Sequence, residues 1–278
     1  YALSRLFDFA GAFPPAGMDM RVAIDAYEGF RRGADAWALG NLVVDLHTMH
    51  IFQKVTLDRA RADSLSVIAR DGEQQLLQSY LGKGLSIDMV ELKTDSSAAI
   101  ADWSKSLSSA TTIYVEMPIA DSHSEVLDSI AKCGARAKLR LGGVIPGAFP
   151  STELVAFALK QLADRRIAYK ATAGLHHPLR SIHPITDEPD SPRELMHGFI
   201  NLICASAHVW FGGESSTAAQ ILDEQNVQAW RVESESIRWR SLEWSADQLC
   251  EVRDSFLIRI GSCSFDEPLH DLEVLGWL

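Results

Sequence analysis

The sequence predicts a parallel α/β barrel, incomplete or irregular, with a C-terminal helix and hairpin extension. Three observations predict it. Short β-rich runs alternate with helix-periodic segments at near-regular intervals. Within each run, aliphatic and charged residues sort onto opposite faces, as a strand's period of two requires. Each run also carries its charge near its C-terminal end, where parallel α/β sheets place their ligands.

The runs are NLVVDL (41–46), LSVIAR (65–70), DMVELKT (88–94), TIYVEMP (112–118), AKLRLGG (137–143) and IAYKATAG (167–174). Helical segments separate them. In STELVAFALKQLADRR, Ser151 or Thr152 can cap, Glu153 sits in the first turn, and Arg165 and Arg166 sit in the last. SEVLDSIAKCG closes on Gly134. Such alternation implies right-handed βαβ units and a TIM-like parallel barrel. The rhythm changes after residue 180. SIHPITDEPDSP reads as a loop, SPREL as the start of an apolar helix over about 193–211, and QAWRVESESIRWRSLEWS as a hairpin. The tail reads as a helix, a turn and a closing helix. One domain over 1–278 is expected: a loop and helix over 1–40, six βα units over 41–180, and the helical and hairpin part over 181–278.

The two strand faces differ sharply. One carries Leu42, Val44, Leu65, Val67, Val90, Leu92, Ile113, Val115, Leu139, Leu141, Tyr169 and Ala171, and is expected to meet the helices. The other carries Asp45, Arg70, Glu91, Lys93, Tyr114, Glu116, Lys138, Arg140, Lys170 and Thr172, and is expected to look inward. Buried charges that only pair with one another rarely stabilise better than apolar packing. A pocket for a charged small molecule is therefore the favoured reading over a self-satisfied ion-pair plug. Among Asp45, Glu91, Glu116 and Arg70, Lys93, Lys138, Arg140, Lys170 the bases outnumber the acids, which points to an anionic substrate.

Composition narrows the partners. The chain has 278 residues, 47% hydrophobic and 23% charged, with net charge −11. That balance argues against nucleic acid, which needs a basic footprint. No apolar run is long enough to span a bilayer, and the first residues do not read as a secretory signal. Cys133, Cys204, Cys250 and Cys263 form no CxxC pair and read as reduced thiols, so a cytoplasmic location is expected. A homo-oligomer stays open.

Lys170 sits in mid-strand beside Lys138. Neighbouring cations and desolvation both lower a lysine pKa, and a neutral amine can form a Schiff base with a carbonyl. Glu116 and Tyr114 are placed to move protons. The alternative is that Lys170 is a point charge holding an anion. His176 and His177 follow the strand, where barrel enzymes keep catalytic groups. No HxH or HExxH spacing supports a metal, and no cofactor is expected. Gly142 and Gly143 end a strand and could cradle phosphate through their amides. Arg180 follows the two histidines. His197, Asn201, Cys204 and His208 form one stripe of the apolar helix, either a surface edge or a wall on which His197 and Asn201 meet substrate. Cys263 in GSCSFDEP shows no base partner nearby in sequence and reads as structural. GAFPPAG could cover the barrel mouth or its bottom.

YKATAGL resembles the KTSTGF-type strand of class I deoxyribose-phosphate-type aldolases, whose strand lysine makes the Schiff base, and AKLRLGG is similar to their KASGG strand, with the two strands in reverse order here. In strand count and charge content the chain also resembles the incomplete barrels of quinolinate-type phosphoribosyltransferases. FDFAGAFPPAGMDM, RAKLRLGG, YKATAGLHHPLR and GSCSFDEP are similar to an uncharacterised family of bacterial proteins, which implies no activity. The expectation is an enzyme acting on a small anionic carbonyl compound, a lyase with Lys170 as nucleophile. A transferase for phosphorylated ligands and a non-catalytic ligand-binding barrel are the alternatives.

Overall fold

A computed structural model describes residues 2–56, 64–119 and 124–278. Its strands are β1 (Phe7–Phe9), β2 (Leu39–Asp45), β3 (Leu65–Arg70), β4 (Ile87–Lys93), β5 (Thr112–Met117), β6 (Arg136–Arg140), β7 (Tyr169–Thr172), β8 (Ser181–Pro184), β9 (Arg193–Met196), β10 (Trp230–Val232), β11 (Ser236–Trp239), β12 (Leu242–Ser245) and β13 (Leu257–Ser262). Its helices are α1 (Met20–Arg32), α2 (Met49–Thr56), α3 (Gln74–Leu81), α4 (Ser97–Ser106), α5 (Ser124–Lys132), α6 (Thr152–Asp164), α7 (Phe199–Trp210), α8 (Ser215–Asp223), α9 (Ala246–Ser255) and α10 (Asp266–Val274).

The six runs read from the sequence form β2 to β7, each parallel to the next. The barrel is closed rather than incomplete. β1 pairs with β2, β13 pairs with β7, and β1 and β13 join each other, all in parallel, giving eight strands. Closure leaves no exposed edge of backbone donors and acceptors. Both closing strands lie in segments whose sequence reads as loop and helix.

The outward face is aliphatic as expected. Val44, Val67, Val90, Val115, Leu139 and Ala171 are fully buried against the helical layer. Helix starts follow local chemistry. Asp19 accepts from Arg21 N, Ser96 from Ala99 N, and Ser151 from Leu154 N. Ser245 and Gln248 make a reciprocal capping box on α9.

Two readings of the C-terminal half are corrected. Residues 193–196 are a strand paired antiparallel with β8, because the Ser191 hydroxyl accepts from Thr186 N and holds a turn instead of capping a helix. The hairpin over 230–245 is a three-stranded antiparallel sheet, β10-β11-β12. The apolar helix α7 starts after Gly198, where a Cβ would meet the Leu179 backbone at 2.5 Å. It packs against α6, α8 and α9, and Phe199 meets Phe7 edge to face. That enclosure explains its apolar composition.

Candidate functional site

The inward charges converge, and they pair. Lys170, with no exposed surface, donates to Asp8 Oδ2 at 2.6 Å and to Glu91 Oε1 at 2.5 Å. Lys138 reaches Glu91 Oε2 and Glu116 Oε2, both at 2.7 Å. Lys138 and Lys170 are register partners, as the parity reading places them, but Glu91 lies between them and gives one oxygen to each. Ser66 donates a further hydrogen bond to Glu91 at 2.6 Å. Asp8 accepts from Asn41 N and lies 3.6 Å from Arg259 Nε. The Tyr114 ring lies 5.6 Å from the Lys170 ammonium.

This layer reverses the electrostatic expectation for Lys170. Burial alone favours the neutral amine, but the touching carboxylates of Asp8 and Glu91 outweigh it and raise the pKa above the usual lysine range. Burial likewise opposes ionisation of Glu91, and Lys138 and Lys170 overcome it, holding the carboxyl below its ordinary range. Glu116 is lowered too, against its burial, by Lys138 and Arg140. The positive charge read from sequence is largely paired, because Asp8 adds an acid against Lys170 and Arg70 pairs with Asp45 at 2.9 Å.

Above the layer, at the carboxyl ends of the strands, a cavity of about 810 Å³ opens. Glu91 and Lys138 line it, as do Arg140, Thr172 and Gly143. Arg140 gives Nε to Glu116 Oε1 at 3.0 Å, and among the described residues its terminal nitrogens have no protein partner. The GAFPPAG loop covers this mouth through Phe13, Pro14 and Pro15. His176, His177 and Cys263 form the facing wall, and the β8–β9 hairpin adds His183 and Met196.

His176 Nδ1 meets Glu267 Oε2 at 2.8 Å, and its Nε2 lies 3.6 Å from Cys263 Sγ. Burial disfavours the imidazolium, but the hydrogen bonds to Cys263 and Glu267 prevail and push His176 up to about 10. His177 Nδ1 meets Asp271 Oδ2 at 2.6 Å, and its ring stacks on His183 at 3.3 Å. Burial, aided by His177, brings His183 down to about 4.

Several residues expected at the site lie elsewhere. Lys170 is beneath the cavity and does not line it. Tyr114 is sealed, and its hydroxyl accepts from Arg136 at 3.0 Å, so it has no route to move a substrate proton. Glu116 stands behind the wall as the partner of Lys138 and Arg140. Arg70 and Lys93 are exposed and do not line the cavity. Arg180, His197 and Asn201 are buried scaffold. The Asn201 amide accepts from Arg180 N and donates to the Ile221 and Glu224 carbonyls. His197 bridges Arg180 and Pro150 O. The stripe on α7 is thus no surface edge, with Asn201 and Cys204 fully buried.

Gly142 serves packing. A Cβ there would meet the Phe149 ring at 2.5 Å and the Gly174 Cα at 2.9 Å. Gly142→Ala is expected to cost about 2 kcal/mol by forcing the ends of β6 and β7 apart. Chemical denaturation measures it, and a cost below about 0.5 kcal/mol contradicts this packing role.

Sequence reasoning passed over Asp8, Arg259 and Glu267, and gave Cys263 no partner. Asp8 had one signal: an acid flanked by phenylalanines in FDF has the inward-charge, outward-apolar parity of the other strands. No helix among the described residues is long and apolar enough to cross a membrane. Fold and site together define a TIM-like α/β barrel with a charged interior and a cavity of mixed apolar and charged lining at its carboxyl end. In comparison with known proteins, no family model and no curated protein matches the chain.

Proposed function

We propose that the protein is an enzyme acting on a small anionic carbonyl compound bound at the barrel mouth. One observation carries this reading: Arg140 and Lys138 present cationic groups to a cavity whose wall otherwise mixes aromatic, proline and histidine side chains with the carboxylates of Glu91, Asp187, Asp266 and Glu267. The Arg140 terminal nitrogens suit a carboxylate or phosphate, which they can grip in a fork. Lys138, tethered by Glu91 and Glu116, offers a fixed cation on the floor where a carbonyl oxygen gains charge.

Two roles were open for Lys170. Its ion pairs with Asp8 and Glu91 favour an electrostatic role over a Schiff base, since a protonated amine has no lone pair to attack with. Lys170 then holds Glu91, and Glu91 holds Lys138. The lyase, with Lys138 the amine that lines the cavity, and the transferase for phosphorylated ligands remain the two reaction classes that this anion site supports.

Calorimetry with a panel of small keto acids and aldehyde phosphates, set against their neutral esters, tests the proposal. Binding of at least one anionic member is expected, with a loss of at least about tenfold in Arg140→Ala, the scale of a hydrogen bond to a charged group. Equal binding of the neutral counterpart overturns the anion reading. Borohydride treatment of the same mixtures is expected to leave Lys170 unmodified, and a trapped adduct on that lysine restores the Schiff-base mechanism. Turnover of the bound member, followed by NMR, separates an enzyme from a non-catalytic binding barrel.

A further inference from the structure

The cavity wall opposite Arg140 holds a second chemical group that the anion site does not use. Cys263 lies just past the end of β13, and His176 lies just past the end of β7. Those strands are hydrogen-bonded neighbours, with Thr172 in register with Gly261. Two loops leaving adjacent strand ends therefore bring the thiol and the imidazole together from positions 87 residues apart. Glu267, in the first turn of α10, fixes the far side of the ring.

We propose that Cys263, His176 and Glu267 form a nucleophile, base and orienting group that attack the carbonyl carbon of an ester or thioester in the barrel mouth. The geometry meets the general requirement for an activated nucleophile: thiol beside base, base held by a third group, all on one cavity. His176 Nδ1 faces the Glu267 carboxylate, which selects the ring orientation with Nε2 toward sulfur. The charged and titratable surroundings of His176 are few. They are Cys263 and Glu267 in direct contact, then His177 with its partner Asp271, and His183 stacked on His177. The raised pKa of His176 agrees with an imidazolium that shares its wall with sulfur and carboxylate.

The chemistry balances without an oxidant or reductant. In the proposed step the proton of Cys263 already resides on the His176 imidazolium, so sulfur bonds to the acyl carbon as the thiolate, and the carbonyl π pair moves onto oxygen. Collapse of that adduct re-forms the carbonyl and expels the alcohol or thiol, which takes the proton from His176. Water, deprotonated by the same Nε2, then attacks the thioester, and the acid leaves with sulfur released as the thiolate beside the re-formed imidazolium. Glu267 touches neither sulfur nor substrate and is a positioning residue. That the preferred ester carries an anionic group rests on the proposed function. The acyl transfer itself does not.

Two measurements on the intact chain test it. In the first, iodoacetamide at about pH 6 is followed by peptide mass mapping. Cys263 is expected to react at least about tenfold faster than the half-buried Cys133 and Cys250. His176→Asn and Glu267→Gln are each expected to abolish that advantage in a protein that still unfolds cooperatively, and Glu267→Asp to restore part of it. In the second, the neutral probe p-nitrophenyl acetate is expected to place one acetyl group on Cys263 with a burst of nitrophenolate, absent in Cys263→Ser. This probe needs no anion site, so a failed anion reading does not mask the result. An ordinary alkylation rate at Cys263, a rate indifferent to His176→Asn, or an acetyl group found elsewhere overturns the proposal.

Discussion

Lys170→Met is expected to destabilise the protein by about 3–5 kcal/mol at neutral pH, the cost of stripping one partner from a buried ion pair. The lysine has no exposed surface, and neither has Asp8. Removing the ammonium leaves Asp8 with the Asn41 amide and Arg259 at 3.6 Å, and leaves Glu91 with Lys138 and Ser66. Methionine fills nearly the same volume, so a packing void contributes little and the loss reads as charge. The double variant Asp8→Asn, Lys170→Met is expected to be more stable than the sum of the two single losses by more than about 1 kcal/mol, because it removes both charges together. Urea denaturation of all four proteins measures the coupling. A Lys170→Met loss below about 1 kcal/mol, with additive effects, contradicts the paired layer. Lys170→Arg keeps the charge, but a planar guanidinium must fit a site shaped for a compact ammonium, so a smaller loss is expected from overpacking.

The same layer shows what sequence could and could not disclose. Six strands were legible because each pairs an aliphatic face with a charged one, as Val90 and Leu92 do against Glu91 in β4. β1 was not. A three-residue strand carries one alternation, too little to separate FDF from a loop. β13 was hidden differently. Arg259 and Gly261 break its apolar pattern, and the segment between β7 and β13 holds two small sheets and three helices, which ends the βα rhythm. Missing those strands removed Asp8 from view, and without Asp8 the charge beside Lys170 looked like Lys138 alone. The pairing of Cys263 with His176 was hidden for a related reason, since only the closure of β13 onto β7 makes them neighbours. Asn201 was placed on the right helix, whereas His197 precedes its cap Gly198, and a stripe does not say whether its polar groups face a ligand or backbone that needs partners.

Between about pH 6.5 and pH 4 the protein is expected to lose on the order of 3 kcal/mol of stability through His197 alone. Burial, with Arg180 adding to it, brings His197 down to about 4, and the ring is fully enclosed. Its Nε2 donates to Pro150 O at 2.9 Å, and its Nδ1 accepts from Arg180 Nη1 at 3.1 Å, an arrangement only the neutral ring satisfies. The folded pKa is depressed below the unfolded one, so in this window the unfolded chain binds the proton and the folded chain refuses it. The contribution is neutral above about pH 6.5 and increasingly unfavourable as pH falls toward 4. His176 acts in the opposite direction and in another window. Its raised pKa contributes stability that is fully present below about pH 6.5 and lost as pH rises through about 10, so it does not confound the acid limb. His197→Gln keeps a donor for Pro150 and an acceptor for Arg180 while removing the titration. The variant is expected to start less stable at pH 7 and to lose about 3 kcal/mol less than the parent on acidification to pH 4, read from urea midpoints across the range. Parallel pH profiles for parent and variant would show that His197 is protonated in the folded state, and that the scaffold joining Arg180 to Pro150 is not held by a neutral imidazole.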